Sequence, residues 1–154
     1  MNVTIRKAKP EDWETVQRLN HEVIEDNAQY EDALVVGWSF SDEGTAYFKK
    51  VTSSPEYCGL IAEVDGKLVG YLAGTEKKFP YRNIRVAEIG DMGVSSKYWS
   101  NGIGEKLVME YRKWAKEHGF DRLYVNAYCK NEKAIAFYKK CVLNPIDISL
   151  EGPV

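Results

Sequence analysis

Apolar residues recur along this chain with two periods, and each switch of period marks an element. In "VTIRKA" (Val3–Ala8) apolar and polar residues alternate, the pattern of a half-buried strand. Pro10, followed by Glu11 and Asp12, opens a helix: proline suits the first helical position and acids suit the first turn. Trp13, Val16, Leu19 and Val23 then repeat at helical spacing, and "GTAYFKKVTS" (Gly44–Ser53) gives a second, shorter helix. Two apolar runs in "GLIAEVDGKLVGYLAGTE" (Gly59–Glu76) flank Asp65-Gly66, a dipeptide that tolerates the positive φ angles of a tight hairpin. "NIRVAEIGDMGV" (Asn83–Val94) reads as a further strand. Gly102 to His118 carries Ile103, Leu107, Tyr111 and Trp114 on one face and stops before Gly119, a natural C-cap. "DRLYVNAY" (Asp121–Tyr128) is a strand, "NEKAIAFYKK" (Asn131–Lys140) a helix with Asn131 as N-cap, and "PIDISL" (Pro145–Leu150) a last strand.

The predicted order is β-α-α-β-β-β-α-β-α-β. A central hairpin followed by strand–helix–strand implies a mixed sheet with helices on its faces, in the α+β or mixed α/β class. With no repeat and no low-complexity linker, 154 residues predict one domain over 1–154.

Composition narrows the function classes. Apolar residues are 44% and charged residues 29%, as in soluble globular proteins. A net charge of −2 gives no general reason to expect nucleic acid as a partner. No run approaches the roughly 20 apolar residues that span a bilayer, so no membrane is expected. The start "MNVTIRKAKPEDWE" has no apolar signal region. Cys58, Cys129 and Cys141 are odd in number and far apart, which points to a reducing, cytoplasmic setting without structural zinc. His21 and His118 have no ligand partners at metal spacing either.

"IGDMGVSSKYWSNGIGEK" (Ile89–Lys106) raises a question, because it places glycines where a helix must begin and glycine is a poor helix former. A helix N-terminus carries unpaired N–H groups and partial positive charge, and an anion satisfies both. Glycine lets that anion reach the backbone. Trp99 through Glu105 would then supply the amides of a phosphate cradle. The alternative is that Gly102 and Gly104 only shape a turn or allow close packing. The three-glycine dinucleotide pattern is absent, and no Gly-Lys-Ser or Gly-Lys-Thr follows.

The stretch resembles the acetyl-CoA signature of the GNAT superfamily of N-acetyltransferases. The matching residues are Val94 at the strand end, then Trp99, Ser100, Asn101, Gly102, Ile103 and Gly104. A second family motif is similar at Asn131, Ala134, Phe137 and Tyr138. The element order resembles the family over nearly the whole chain, which implies a single N-acetyltransferase domain with a mostly antiparallel sheet flanked by helices. There are two departures. Trp99 stands where the family usually carries Gln or Arg, so backbone amides must do the phosphate binding. The Gly-Phe that usually follows the last helix is replaced by Cys141-Val142.

The resemblance implies acetyl-CoA as donor, no metal, and direct attack by a primary amine. Glu88, mid-strand, is the expected general base, with Asp91 or a water chain as rivals, and Tyr138 is the expected general acid. Met92, Gly93 and Val94 would offer backbone to the pantetheine arm, as an added strand would. Ser100, Asn101, Gly102, Ile103, Gly104 and Glu105 would surround the phosphates, with Asn131 and Ala134 beside them. Asn126 would hydrogen-bond substrate or pantetheine. Residues 22–43 hold seven Asp and Glu and no Lys or Arg, so a cationic small molecule or peptide amine is the expected acceptor. The competing reading is a non-catalytic acyl-CoA sensing module of the same fold. A C2 homodimer is the default should the chain self-associate.

Overall fold

Asp65 and Gly66 take φ of 50° and 79°. They close the anticipated two-residue turn between β2 (Cys58–Val64) and β3 (Lys67–Lys77). Around this hairpin the computed structural model, which describes residues 1–154, builds a five-stranded sheet. The other members are β1 (Val3–Lys7), β4 (Val86–Val94) and β5 (Arg122–Val125), and the order is β1-β2-β3-β4-β5. Neighbours are antiparallel except β4 and β5, which run parallel. A parallel pair needs a crossover, and α3 (Ile103–Glu117) supplies it.

Helices cover both faces, giving the mixed α+β architecture read from the sequence. On one face α1 (Trp13–Asn27) and α2 (Asp42–Ser53) press Val16, Leu19, Phe48 and Val51 onto Ile61, Tyr71 and Ala73. On the other, Leu107, Val108 and Tyr111 of α3 meet Leu60, Leu72, Ala87 and Ile89. Each such side chain, fully buried, contributes roughly 1.5–3 kcal/mol. Gly74 is required here: a Cβ would lie 2.2 Å from the Tyr111 ring. Without it the ring lies on the sheet, and its hydroxyl donates to Glu88 O at 2.7 Å. The last helix, α4 (Glu132–Lys140), packs beside α3, where Lys140 Nζ meets Glu105 Oε1 at 2.7 Å.

Helix starts follow local chemistry. Ser41 Oγ accepts from Gly44 N, so α2 begins at Asp42, two residues earlier than the apolar pattern suggested. Asn131 Oδ1 accepts from Ala134 N at 3.1 Å, the expected cap of α4. A short 3-10 turn, Val36–Phe40, joins α1 to α2. Before α1, Asp12 accepts from both terminal nitrogens of the Arg6 guanidinium, at 2.8 and 3.0 Å, and from Lys9 N at 2.7 Å.

Three expected strand limits are corrected. β4 begins at Val86 rather than Asn83, and β5 runs only from Arg122 to Val125, so Asn126 lies beyond its end. The expected last strand, Pro145–Leu150, is absent: residues 143–154 form no regular element, and Ile146, Ile148 and Leu150 are exposed. Alternation specifies a strand only where a neighbouring edge offers a ladder. The outer edge of β5 is four residues long, and Pro145 has no N–H to donate.

Candidate active site

β4 follows β3 with Ile89 opposite Gly74 and then Asp91 opposite Ala73, so Gly90 is an extra residue in the ladder, a β-bulge. Side chains alternate along a strand, and residues three apart would ordinarily face opposite sides. The bulge returns Asp91 to the face that Glu88 occupies, the one under α1 and α2. Burial raises the hydroxyl of Tyr47 on α2, and the charges of Asp91 and, least, Glu88 add to the rise.

Asp91 is the centre of a closed polar network. Tyr47 Oη donates to Asp91 Oδ2 at 2.6 Å, and Asn20 Nδ2 donates to Asp91 Oδ1 at 3.3 Å. Asn20 Nδ2 also bonds the Tyr71 hydroxyl at 2.9 Å, while Asn20 Oδ1 accepts from Ser39 Oγ at 2.7 Å. Gln17 completes the chain by donating to Ser39 O and Thr45 Oγ1. Burial pushes the Asp91 carboxyl above the ordinary carboxylate value, and the bonds from Tyr47, Tyr71 and Asn20 pull against that rise. Every buried side-chain nitrogen or oxygen has a partner, so the network is satisfied throughout.

Glu88 is more open. Its carboxylate lies 3.7 Å from Lys77 Nζ, with the side chain 22% exposed. Lys77 itself lies over the rings of Phe79 and Tyr124, and Tyr124 is the register partner of Glu88 on β5. Arg85 pairs with Glu76. Asn126, beyond β5, is exposed and accepts from Tyr124 Oη at 3.2 Å.

Parallel pairing of β4 with β5 stops at Ile89 and Val125, yet β4 continues to Val94. A notch therefore opens between them, and the outward edge of Gly90 to Val94 has no strand partner. Met92, Gly93 and Val94 line it. Gly93 also has a packing reason, since a Cβ there would come within 2.5 Å of Val23 on α1. Trp99, 54% exposed, donates its indole N–H to Val94 O at 2.7 Å, pinning the turn that follows β4.

After that turn the amides of Ser100, Asn101, Gly102, Ile103, Gly104 and Glu105 have no acceptor in the protein; the first to find one is Lys106, on Gly102 O. The start of α3 has no side-chain cap. Ser100 and Gly102 take φ of 62° and 71°, which turns successive N–H groups toward one side. The two glycines divide the roles considered above. Gly102 takes a left-handed φ and has nothing within 4 Å of a would-be Cβ, so an anion can approach it. Gly104 makes room for Phe137 of α4, which a Cβ would meet at 3.0 Å. Ile103 is buried, so its side chain belongs to the core and only its amide is left unpaired. The Asn101 amide group is turned back onto Tyr98 O and Trp99 O.

Tyr138 packs beside Phe137 at 5.1 Å between ring centres and joins the α3-side cluster. It lies on the sheet face opposite Glu88. Burial pushes its hydroxyl well above the ordinary value, and Asp91 is among the charges that add to the rise. Asn131 and Ala134 are bound to each other in the α4 cap. No three His, Cys, Asp or Glu side chains gather in a way that could hold a metal, and no helix is long and apolar enough to cross a membrane.

Sequence reasoning missed Tyr47, Asn20, Tyr71 and Ser39. A signal existed for one of them: Asn20 stands four residues after Val16 and three before Val23, a polar side chain inside the apolar stripe of α1.

The acetyltransferase (GNAT) family profile matches residues 16–141. An uncharacterized N-acetyltransferase of Methanocaldococcus jannaschii is 31% identical over 101 residues, 61% of this chain and 42% of that protein. A mutant of a Bacillus halodurans protein superposes with a TM-score of 0.83 at 23% identity, covering 98% of this chain and 99% of that one. An aminoglycoside acetyltransferase from an uncultured soil metagenomic sample, solved with sisomicin, superposes at 0.74 and 20% identity, covering 99% and 96%. At these identities the two solved structures speak to the fold.

Proposed function

This chain belongs to the GNAT family of acetyltransferases, and from that premise we propose that residues 1–154 form one N-acetyltransferase domain moving an acetyl group from acetyl-CoA to a primary amine. The observation that carries the reading is the run of six unpaired amides at residues 100–105, beside the unpartnered edge of β4. Two features of one ligand match them: a diphosphate for the amides and an extended amide-bearing arm for the strand edge. When bound, acetyl-CoA supplies an activated thioester acetyl group.

The chain's own residues divide the remaining work. Ser100 to Glu105 bind the phosphates through backbone alone, which suits Trp99 in place of a cationic residue. Met92, Gly93 and Val94 orient the arm. Glu88, the more open carboxylate on the α1–α2 face, takes the proton of the acceptor's ammonium. Tyr138 keeps its proton, because burial raises its hydroxyl, and is therefore a general acid and not a base. Asn126, exposed beyond β5, lies toward the acceptor's side.

The acceptor is a cation in this reading. Glu22, Glu25, Asp26, Asp32, Asp42 and Glu43 are exposed along α1, the following loop and the start of α2. They concentrate positive charge in front of the face that carries Glu88.

A thermal-shift titration with acetyl-CoA, CoA, ATP and NADH tests the cofactor. Ligand at about 100 times its Kd adds roughly 2.7 kcal/mol to the folded state. Stabilisation by acetyl-CoA and CoA alone is the expected result; none from either at millimolar ligand would end the acetyltransferase reading.

A further inference from the structure

Lys77 ends β3 with its side chain on the sheet face that carries Glu88. Thr75 stands opposite Glu88 and Lys77 opposite Val86, and two steps along a strand return to the same face. The Lys77 ammonium nitrogen lies 3.7 Å from Glu88 Oε2. It also lies over the rings of Phe79 and Tyr124, 5.7 and 5.8 Å from their centres. Of the lysine–carboxylate pairs in the protein, this one is the least exposed on both sides, at 37% and 22%.

The amine is placed but not tied. At 3.7 Å the contact is one of charge without a hydrogen bond. The ring faces attract the ammonium, and a flexible aliphatic stem lets it swing. Its position along the sheet matters too. Pairing of β4 with β5 ends one residue past Glu88, at Ile89 and Val125. The unpaired amides of residues 100–105 lie beyond the other end of the notch, after Val94. A thioester arm anchored on those amides and laid along Val94, Gly93 and Met92 runs toward Glu88. Its acyl end and the Lys77 amine then meet at the proposed base.

We propose that Lys77 is an acetylation site of this chain, modified intramolecularly at its own candidate active site. The proposal rests on the acetyltransferase reading and adds one acceptor to it, the chain itself. Glu88 takes one proton from the Lys77 ammonium. The freed lone pair forms an N–C bond to the thioester carbonyl carbon, and the C–S bond breaks with its electron pair on sulfur. Sulfur takes the Tyr138 proton. The second nitrogen proton passes through water to Tyr138, and the Glu88 proton is released to solvent. Lysine ammonium and acetyl thioester thus become acetyl-lysine, thiol and a proton. The product is neutral, so Glu88 loses the cation it now faces.

The full chain would be incubated with acetyl-CoA and its lysines read by peptide mass spectrometry. Acetyl-lysine is expected at Lys77, well ahead of the exposed Lys78 beside it, at a rate independent of protein concentration. Glu88→Gln should slow it about a hundredfold or more, the order of a general base. In Lys77→Arg no other lysine should take up the acetyl group in its place. A second measurement needs no acetyl transfer: in chain carrying ¹³C-lysine, the Lys77 ε-methylene signal should move with CoA but not with ADP, which has the diphosphate without the arm. Lys77 left unmodified, modified no faster than Lys78, modified in proportion to protein concentration, or indifferent to Glu88→Gln would overturn the proposal. So would a Lys77 signal that ignores saturating CoA. Calorimetry with acetyl-CoA on the same samples separates the two readings. Binding without Lys77 modification sinks this proposal alone, and no binding sinks the acetyltransferase reading with it.

Discussion

Tyr47 on α2 and Asp91 on β4 share a 2.6 Å hydrogen bond across the gap between helix and sheet. It is the shortest link in a network that runs from the Val36–Phe40 turn to the bulge. Asn20 is the joint of that network, with Ser39, Tyr71 and Asp91 all on its amide group. Asn20→Ala leaves those groups short of partners in a buried place. Each such loss costs about 1–3 kcal/mol. A urea titration should show the midpoint fall with an unchanged slope; a midpoint within error of wild type would mean that water replaces the amide freely.

Asp91 gives the network a pH signature. Its carboxyl is raised in the fold by burial, so the folded chain holds a proton that the unfolded chain has released. The contribution of Asp91 to stability is then greatest below the unfolded aspartate value of about 3.9 and is lost as pH rises through the higher folded value. Asp91→Asn removes that loss. Stability curves of the two proteins between pH 4 and neutrality should converge at the acid end and separate toward neutrality, the Asn variant declining less. Parallel curves would show that Asp91 titrates normally.

The two glycines at the start of α3 should respond differently to alanine. Gly102→Ala meets no atoms but places a side chain at φ 71°, a cost of about 1–2 kcal/mol. Gly104→Ala keeps helical φ and pushes on Phe137, which disturbs the α3–α4 contact. Gly102→Ala should weaken acetyl-CoA binding, measured by calorimetry, more than its small loss of stability would suggest. Gly104→Ala should lower the melting temperature first. Equal effects on both properties in both variants would mean that the glycines share one role.

Much of this fold was legible in the sequence because local chemistry and tertiary packing agree. Asp65-Gly66, Asn131 and Gly119 each fixed an element end that the structure keeps. Glu88 and Asp91 were both visible as candidates, but their relation was not. A bulge is a property of pairing between two strands, and Gly90 alone does not announce one. Tyr47 was hidden for a similar reason: its partner is 44 residues away. The error at Pro145–Leu150 has the opposite origin, an alternating pattern with no ladder to join. Trp99 cannot pair with phosphate as Gln or Arg would, and its indole instead closes the turn onto Val94 O, a contact that residue type alone does not announce.

That bond predicts the effect of Trp99→Phe. The ring is kept and the N–H is lost, so Val94 O loses its partner and the turn presenting the amides loosens. A net hydrogen bond is worth about 1 kcal/mol, so the acetyl-CoA Kd should rise about fivefold. Folding stability should change less, because Trp99 is largely exposed. An unchanged Kd by calorimetry would show that the amides hold their arrangement without it.

The last prediction concerns the division of labour between Glu88 and Tyr138. Glu88→Gln keeps shape and removes the proposed base, and Tyr138→Phe keeps the ring and removes the proposed acid. General acid or base catalysis contributes about 10²–10⁴-fold, so kcat should fall by that order in each variant while the acetyl-CoA Kd stays near wild type. Glu88→Gln should also free Lys77, whose ammonium lies 3.7 Å away; a cationic acceptor would then meet an unpaired positive charge and its KM should rise. Tyr138→Phe has no such neighbour and should leave KM alone. The contrast in KM separates the two roles. A Glu88→Gln enzyme with full kcat would move the base to Asp91 or to water, and turnover in Asp91→Asn would then decide between them.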